Sequence, residues 1–218
     1  MRNLSVLWTY TLVTMAMEKE TVGSATTGHD DTEDRRLVQR TLAGDLRAFT
    51  SIVESYTPVF HSLLTHMHPH RCNESIEDDL QEIFLRIFRA LPRFALEKSF
   101  FSWAYTIAMN WSRSLWRTYG RRRRWRTVPY DDCMGTLEGS DPDPFDSVVA
   151  SEAKQMLARG LSKLKPIQRD VFTLRMMEGL SVQDTAKVLG IPEGTVKTHL
   201  HRARALLRKW FASHHWNV

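Results

Sequence analysis

The sequence predicts an all-α protein: two small helical domains joined by an extended acidic linker, the C-terminal one carrying a helix-turn-helix. Three observations lead there. Wherever the sequence is regular, apolar positions recur at helical spacing, and no run sustains the alternation of a half-buried strand. A chain of 218 residues is long for one compact domain and suits two small ones, and 42% hydrophobic with 25% charged residues gives each half the material for a core. Charge is segregated along the chain, with net −4 over residues 1–34, +8 over 35–126, −6 over 127–150 and +7 over 151–218. Basic blocks of this size suit phosphate neutralisation, although solvated helical faces carry similar charge.

Residues 1–34 read as a disordered N-terminal extension. Leu4 to Met17 is mostly apolar behind Arg2 but too short and too rich in Thr to span a bilayer, and Met15 or Met17 offers a later start of translation. Cys72 and Cys133 are the only cysteines, which gives no disulfide framework and fits a reducing cytoplasm.

The first domain is expected over residues 35–126. Leu37, Val38 and Leu42 support a short helix ending near Gly44, and Asp45 suits the N-cap of the next. Phe49, Ile52, Val53, Tyr56 and Phe60, spaced i, i+3, i+4, i+7 and i+11, form the buried stripe of that second helix. A third helix is expected from Ser75, paired with Asp78 much as in a capping box, with Ile76, Leu80, Ile83, Phe84, Ile87 and Phe88 as its core face. A fourth, from about Phe100 to Tyr119, buries Ala104, Ala108, Trp111 and Leu115, and Arg121 to Arg124 with Arg126 extend it as a basic run.

Residues 127–150 contain Pro, Gly and Asp, show no period and hold no basic residue, so they read as the linker. The second domain spans 151–212. Ala153, Leu157, Leu161 and Leu164 mark one helix that stops before Pro166, and Ile167, Val171 and Leu174 mark the next. From Gly179 to Arg204 the pattern is a helix-turn-helix. Ser181 with Asp184 caps its first helix, Ala186 is small where helices cross, Gly190 permits the turn, and Pro192 suits the first turn of the second helix. Val196, Leu200, Ala203 and Leu207 form the core side of that helix. The opposite side presents Thr195, Thr198, His201 and Arg202, flanked by Lys197, His199 and Arg204, donors suited to base edges and phosphates.

The run Leu164-Lys-Pro-Ile-Gln-Arg-Asp-Val-Phe172, then Glu178-Gly-Leu-Ser181, then Gly190-Ile-Pro-Glu-Gly-Thr-Val-Lys-Thr-His-Leu-His-Arg-Ala-Arg204, resembles the promoter-reading fourth region of extracytoplasmic-function (ECF) sigma factors of bacterial RNA polymerase. Glu77-Asp-Asp-Leu-Gln-Glu-Ile-Phe-Leu-Arg-Ile-Phe88 resembles the second-region helix by which those factors dock on the polymerase. The resemblance gives Asp78, Gln81, Glu82, Leu85 and Arg89, one helical face, as core polymerase-binding residues. Asp79 departs from it, standing where the family usually has an apolar residue.

Ser99-Phe-Phe-Ser-Trp-Ala-Tyr-Thr-Ile-Ala-Met-Asn-Trp111 resembles the family's melting and minus-ten segment. It implies DNA binding by Arg93, Lys98 and Ser99 in the preceding loop, then Trp103, Thr106, Asn110, Arg113 and Arg117 along the helix, with Trp103 the candidate for stacking on a base. The resemblance covers about residues 35–212 and implies core RNA polymerase, promoter DNA and an anti-sigma factor as partners.

A free-standing helix-turn-helix regulator binding an operator as a dimer is the rival expectation. With no phosphate loop, nucleophile elbow or catalytic carboxylate pair, neither an enzyme, a small-molecule substrate nor a cofactor is expected. His66, His68, His70 and Cys72 alternate as metal ligands do in an extended loop, but the family places this stretch in a variable connection and no metal is expected.

Overall fold

A computed structural model describes residues 31–68, 72–125 and 156–213, and only the backbone of 119–125. The described residues form helices and the short connections between them, with no strand among them. They fall into two compact units, residues 31–125 making up most of one and residues 156–186 with 191–213 the other.

The N-terminal unit contains α1 (Asp31–Leu42), α2 (Leu46–Met67), α3 (Asn73–Ala90) with a 3-10 turn at Leu91–Arg93, and α4 (Phe100–Trp125). The first helix begins inside the stretch expected to be an extension. Asp34 is the reason, since it is buried and accepts a hydrogen bond from the Tyr56 hydroxyl. Burial, then the neighbouring Asp34 carboxylate, raise the Tyr56 pKa far above its ordinary value, so the phenol keeps its proton. Leu42, expected to help hold α1, is exposed instead, and Val38 and Thr41 take the inner positions.

Gly44, at φ +97°, ends α1. Its amide bonds to the Thr41 carbonyl at 3.0 Å and the Asp45 amide to that of Arg40 at 3.0 Å, the paired bonds of a Schellman turn. Asp45 then caps α2, accepting from the Arg47 amide at 3.0 Å, while the Arg40 guanidinium at 2.7 Å holds its carboxyl below the usual range.

The core of this unit is aromatic. Tyr56, Phe60, Phe100 and Tyr105 are fully buried, with Tyr56 edge-on to Phe100 at 5.4 Å and Phe60 to Tyr105 at 6.1 Å. Such pairs contribute about 0.5–1.5 kcal/mol each beyond the area they bury. Ala104 and Ala108 face inward as expected, but Tyr105, Met109 and Ser112 complete the stripe while Trp111 and Leu115 are only half-buried.

Helix α3 starts at Asn73, two residues before the expected cap. Cys72 occupies the N-cap position without a side-chain capping bond, and its Sγ lies 3.1 Å from Ser75 Oγ. Phe88, expected in the core, is 41% exposed, and Phe49 and Val53 of α2 are half-buried.

The C-terminal unit contains a helix over residues 156–162 (α5), α6 (Pro166–Phe172) running into a π-helical turn at Thr173–Met177, α7 (Val182–Leu189) and α8 (Glu193–Ser213). Leu161, Leu164, Phe172, Ala203, Leu207 and Phe211 form its core. Leu164 supplies its side chain from the turn after α5 rather than from a helix, since the helical stretch ends at 162. Ala153 lies outside the described residues, as does the linker.

The helix-turn-helix has the expected joints. The Ser181 hydroxyl donates to Asp184 Oδ2 at 2.6 Å and accepts from the Asp184 amide at 2.9 Å. Gly190, at φ +66°, ends α7 in a second Schellman turn, with Ile191 bonded to the Ala186 carbonyl at 3.1 Å and Gly190 to that of Lys187 at 3.3 Å. Pro192, expected inside the first turn of α8, stands just before it instead, where its carbonyl accepts from the amides of Thr195 and Val196 at 2.9 and 3.1 Å.

Candidate docking and nucleic-acid interfaces

Helix α8 buries Val196, Ala203, Leu207 and Phe211, at i, i+7, i+11 and i+15, with Leu200 half-buried between them. That stripe turns the rest of the helix outward. Lys197, Thr198, His201 and Arg202 are exposed, and Thr195 and His199 are half-buried at the edges. The Thr198 hydroxyl donates to the Gly194 carbonyl at 2.9 Å, which leaves the oxygen able to accept. Arg204 differs from its neighbours. It is half-buried, with Nη2 3.1 Å from Met176 Sδ, so part of its guanidinium packs against the π turn. Burial and the charge of Arg204 lower the pKa of Arg175 on that same turn, so two cations share this edge of the unit.

Helix α3 presents Asp78, Gln81, Leu85 and Arg89 to solvent on one face, with Glu82 half-buried beside them. Glu82 pairs with Arg86 at 2.7 Å, and Arg86 in turn lies 4.4 Å above the Trp111 ring of α4. Asp79, the odd acid of this helix, is buried. Its Oδ1 accepts from Trp111 Nε1 at 3.1 Å, so the carboxylate fastens α3 to α4 where an apolar side chain would only pack.

Beside this face runs a groove the sequence reading missed. Leu46, Phe49 and Val53 of α2 and Phe84, Leu85 and Phe88 of α3 line it with Gln81. Leu46 is 64% exposed and Leu85 47%, and Phe49 meets Phe88 edge-on at 4.9 Å. Helical spacing makes Phe49, Val53, Phe84 and Phe88 look like core, yet only Phe84 is buried, while Phe49 and Val53 are half-buried and Phe88 is exposed.

On α4, Asn110 and Arg117 are exposed, while Trp103, Thr106 and Arg113 are half-buried. Trp103 rests on Phe94 at 4.9 Å and on Phe100 at 5.6 Å, so part of its surface is taken by the protein. The Thr106 hydroxyl donates to the Ser102 carbonyl at 2.7 Å. In the loop before α4, Arg93 and Lys98 are exposed. Ser99 is engaged: its hydroxyl donates to Asp31 Oδ1 at 3.1 Å and accepts a long bond, 3.5 Å, from the Ser102 amide. Ser99 therefore ties the loop to the start of α1, a link between residues 68 positions apart that no local signal announces. The side chains of Arg121 to Arg124, and Arg126, lie outside the described residues.

Of the three candidate histidines, His66 and His68 are described. His68 is buried and its Nε2 lies 2.8 Å from Ser112 Oγ, with its ring 5.8 Å from that of Trp116. His66 Nδ1 lies 3.4 Å from Ser62 Oγ, and His70 is outside the described residues. Among the described residues, no three His, Cys, Asp or Glu side chains come close enough to share a metal ion. None of the described helices is long and apolar enough to cross a membrane.

Residues 52–125 match the family model for Sigma-70 region 2, and residues 154–207 match that for Sigma-70, region 4. The chain is 30% identical over 178 residues to the ECF RNA polymerase sigma-E factor of Haemophilus influenzae, an alignment covering 80% of this chain and 93% of that one. It is 30% identical over 175 residues to the protein of the same name in Escherichia coli strain K12, covering 78% and 90%. Two solved structures share its fold. CnrH, in complex with the cytosolic domain of CnrY, gives a TM-score of 0.59 at 24% identity over 83% of this chain and 98% of that one. The sigma factor RpoE of Bartonella quintana, in complex with the anti-sigma factor NepR, gives 0.54 at 20% identity over 75% and 96%.

Proposed function

This chain belongs to the ECF RNA polymerase sigma factors, and from that premise we propose how its two helical units divide promoter-specific transcription initiation between them. Helix α8 lies in the major groove of the upstream, minus-thirty-five duplex. Its buried stripe orients Lys197, Thr198, His201 and Arg202 toward base edges and phosphates, with Thr195 and His199 at the margin and Arg204 toward the backbone. That orientation is the observation that carries the reading.

The N-terminal unit holds the polymerase with Asp78, Gln81, Glu82, Leu85 and Arg89 of α3, a mixed polar face with one apolar contact. The exposed Arg93, Lys98, Asn110 and Arg117, with Arg113, track the melted minus-ten strand, and the open part of Trp103 stacks on an unpaired base. Ser99 acts by fixing the loop against Asp31. As an initiation factor the chain performs no catalysis of its own and works in the cytoplasm beside the polymerase. An anti-sigma factor holds it inactive until a stress or envelope signal arrives, a partner supported by the RpoE and NepR complex among the solved relatives.

Run-off transcription with purified core polymerase and a library of promoter sequences tests this. The expected result is transcription from a defined subset only when the chain and core enzyme are both present. Sequence-specific binding of the chain alone, as a dimer, with no promoter selection by the mixture, would establish the operator-binding regulator instead.

A further inference from the structure

The groove between α2 and α3 is an apolar surface without a partner in the described chain. Its lining includes Leu46, Leu85 and Phe88, which are 64%, 47% and 41% exposed, and contiguous exposed apolar surface of this kind marks a place where something docks. Residues Leu4 to Met17 offer a match. Ten of those fourteen are apolar, whereas residues 127–150 are acidic and broken by Pro and Gly. At helical spacing Leu4, Leu7, Trp8, Leu12 and Met15 share one side with Thr11, and Val6, Tyr10, Val13 and Met17 lie on the other, so the segment is apolar all round and any side of it can face the groove. Arg2 is the one charged side chain among residues 1–17, and Asp78 and Glu82 flank Gln81 and Leu85 at the rim of the groove.

Reach decides whether the match can be made. Residues 18–30 are thirteen, mostly Gly, Ser, Thr and charged, and a flexible tether of that length has an r.m.s. span of roughly 20 Å. Helix α1, twelve residues long, carries the chain from Asp31 toward Leu46 over about 18 Å. A tether whose span matches the separation gives an effective concentration of about 1 mM. A segment that binds the groove with Kd of ~100 µM would then occupy it in about ten molecules of every eleven.

We infer that the apolar N-terminal segment, residues 4–17, folds back onto the α2–α3 groove and masks the adjoining polymerase-binding face. The inference rests on the proposed docking role of α3. It makes the chain its own weak competitor, so that core polymerase meets a factor about tenfold less available than its surface alone would be.

The test compares the full chain with one starting at Met17 for equilibrium binding to core polymerase, alongside anisotropy of a labelled peptide of residues 1–20 with the shortened chain. Removing the segment is expected to tighten core binding about tenfold. The peptide is expected to bind the shortened chain and compete with core polymerase. Binding should fall at least tenfold when the peptide carries Leu7→Ser and Trp8→Ser, or when the shortened chain carries Leu46→Arg, a surface change whose fold is checked by circular dichroism.

Equal core affinity of the two chains, or peptide binding indifferent to Leu46→Arg, overturns the inference and leaves the docking role intact. So does concentration-dependent pairing of the shortened chain that Leu46→Arg abolishes, which would make a second copy the occupant. Failure of the shortened chain to bind core polymerase at all overturns the docking role itself.

Discussion

The outward faces of α8 and α4 are both basic and both sit opposite a buried stripe, yet they offer their side chains on different terms. On α8 Lys197, Thr198, His201 and Arg202 are exposed, while Arg204 turns back against Met176. On α4 and the loop before it, Trp103 leans on Phe94 and Phe100, and Ser99 is bonded to Asp31 on another helix. A face bounded by its own helix's geometry is set by periodicity. A face that borders other elements is set by whichever contacts those elements make.

Five measurements sharpen or break this contrast. The largest effect is expected from Phe60→Ala, which removes a fully buried ring from the aromatic core of the N-terminal unit and should cost about 3–5 kcal/mol in chemical denaturation. The transition of the C-terminal unit should keep its midpoint, and a shared shift would mean that the two cores are not independent. Tyr56→Phe follows, at about 1–3 kcal/mol, because it leaves the buried Asp34 carboxylate without the hydroxyl it accepts from.

The same tyrosine predicts a pH dependence. Its folded pKa lies above that of an unfolded tyrosine, near 10, so its contribution is complete below that pH and is lost as the pH rises further. Denaturation midpoints of the wild type should therefore fall above pH ~10, and those of Tyr56→Phe should fall less. Arg202→Ala should weaken use of its preferred promoter by ~1–3 kcal/mol if the guanidinium reads a base edge, seen as relaxed discrimination at one base pair. A uniform loss across all promoters would reduce Arg202 to a phosphate contact. The smallest change is Ser181→Ala, about 1 kcal/mol from loss of the capping pair with Asp184, read as a lower melting temperature of the C-terminal unit.

The C-terminal unit was the more legible in the sequence because its signals are local. Ser181 with Asp184, Gly190, and the stripe from Val196 to Leu207 all lie within a few turns of what they shape. The same locality made Gly44 and Asp45 readable in the N-terminal unit. Errors arose where an apolar residue could satisfy helical spacing without having a neighbour to cover it. Phe88 continues the stripe of α3 by count and is exposed in fact, while Tyr105 and Met109 are buried beside a stripe drawn through Ala104 and Ala108. Capping also misled once, because Ser75 and Asp78 resemble a helix start that α3 has already passed by two residues.

Periodicity, capping residues and charge blocks, all properties of the chain taken a few residues at a time, were enough to determine an all-helical protein with two basic units and a helix-turn-helix whose second helix turns its polar side outward. Distance in space decided the remainder. Asp79 became an acceptor for Trp111, His68 a buried partner of Ser112, Ser99 a tether to Asp31, and six apolar side chains of α2 and α3 an open groove. Each depends on which helices meet and how closely, and hydrogen bonds or burial between residues dozens of positions apart leave no trace in local pattern.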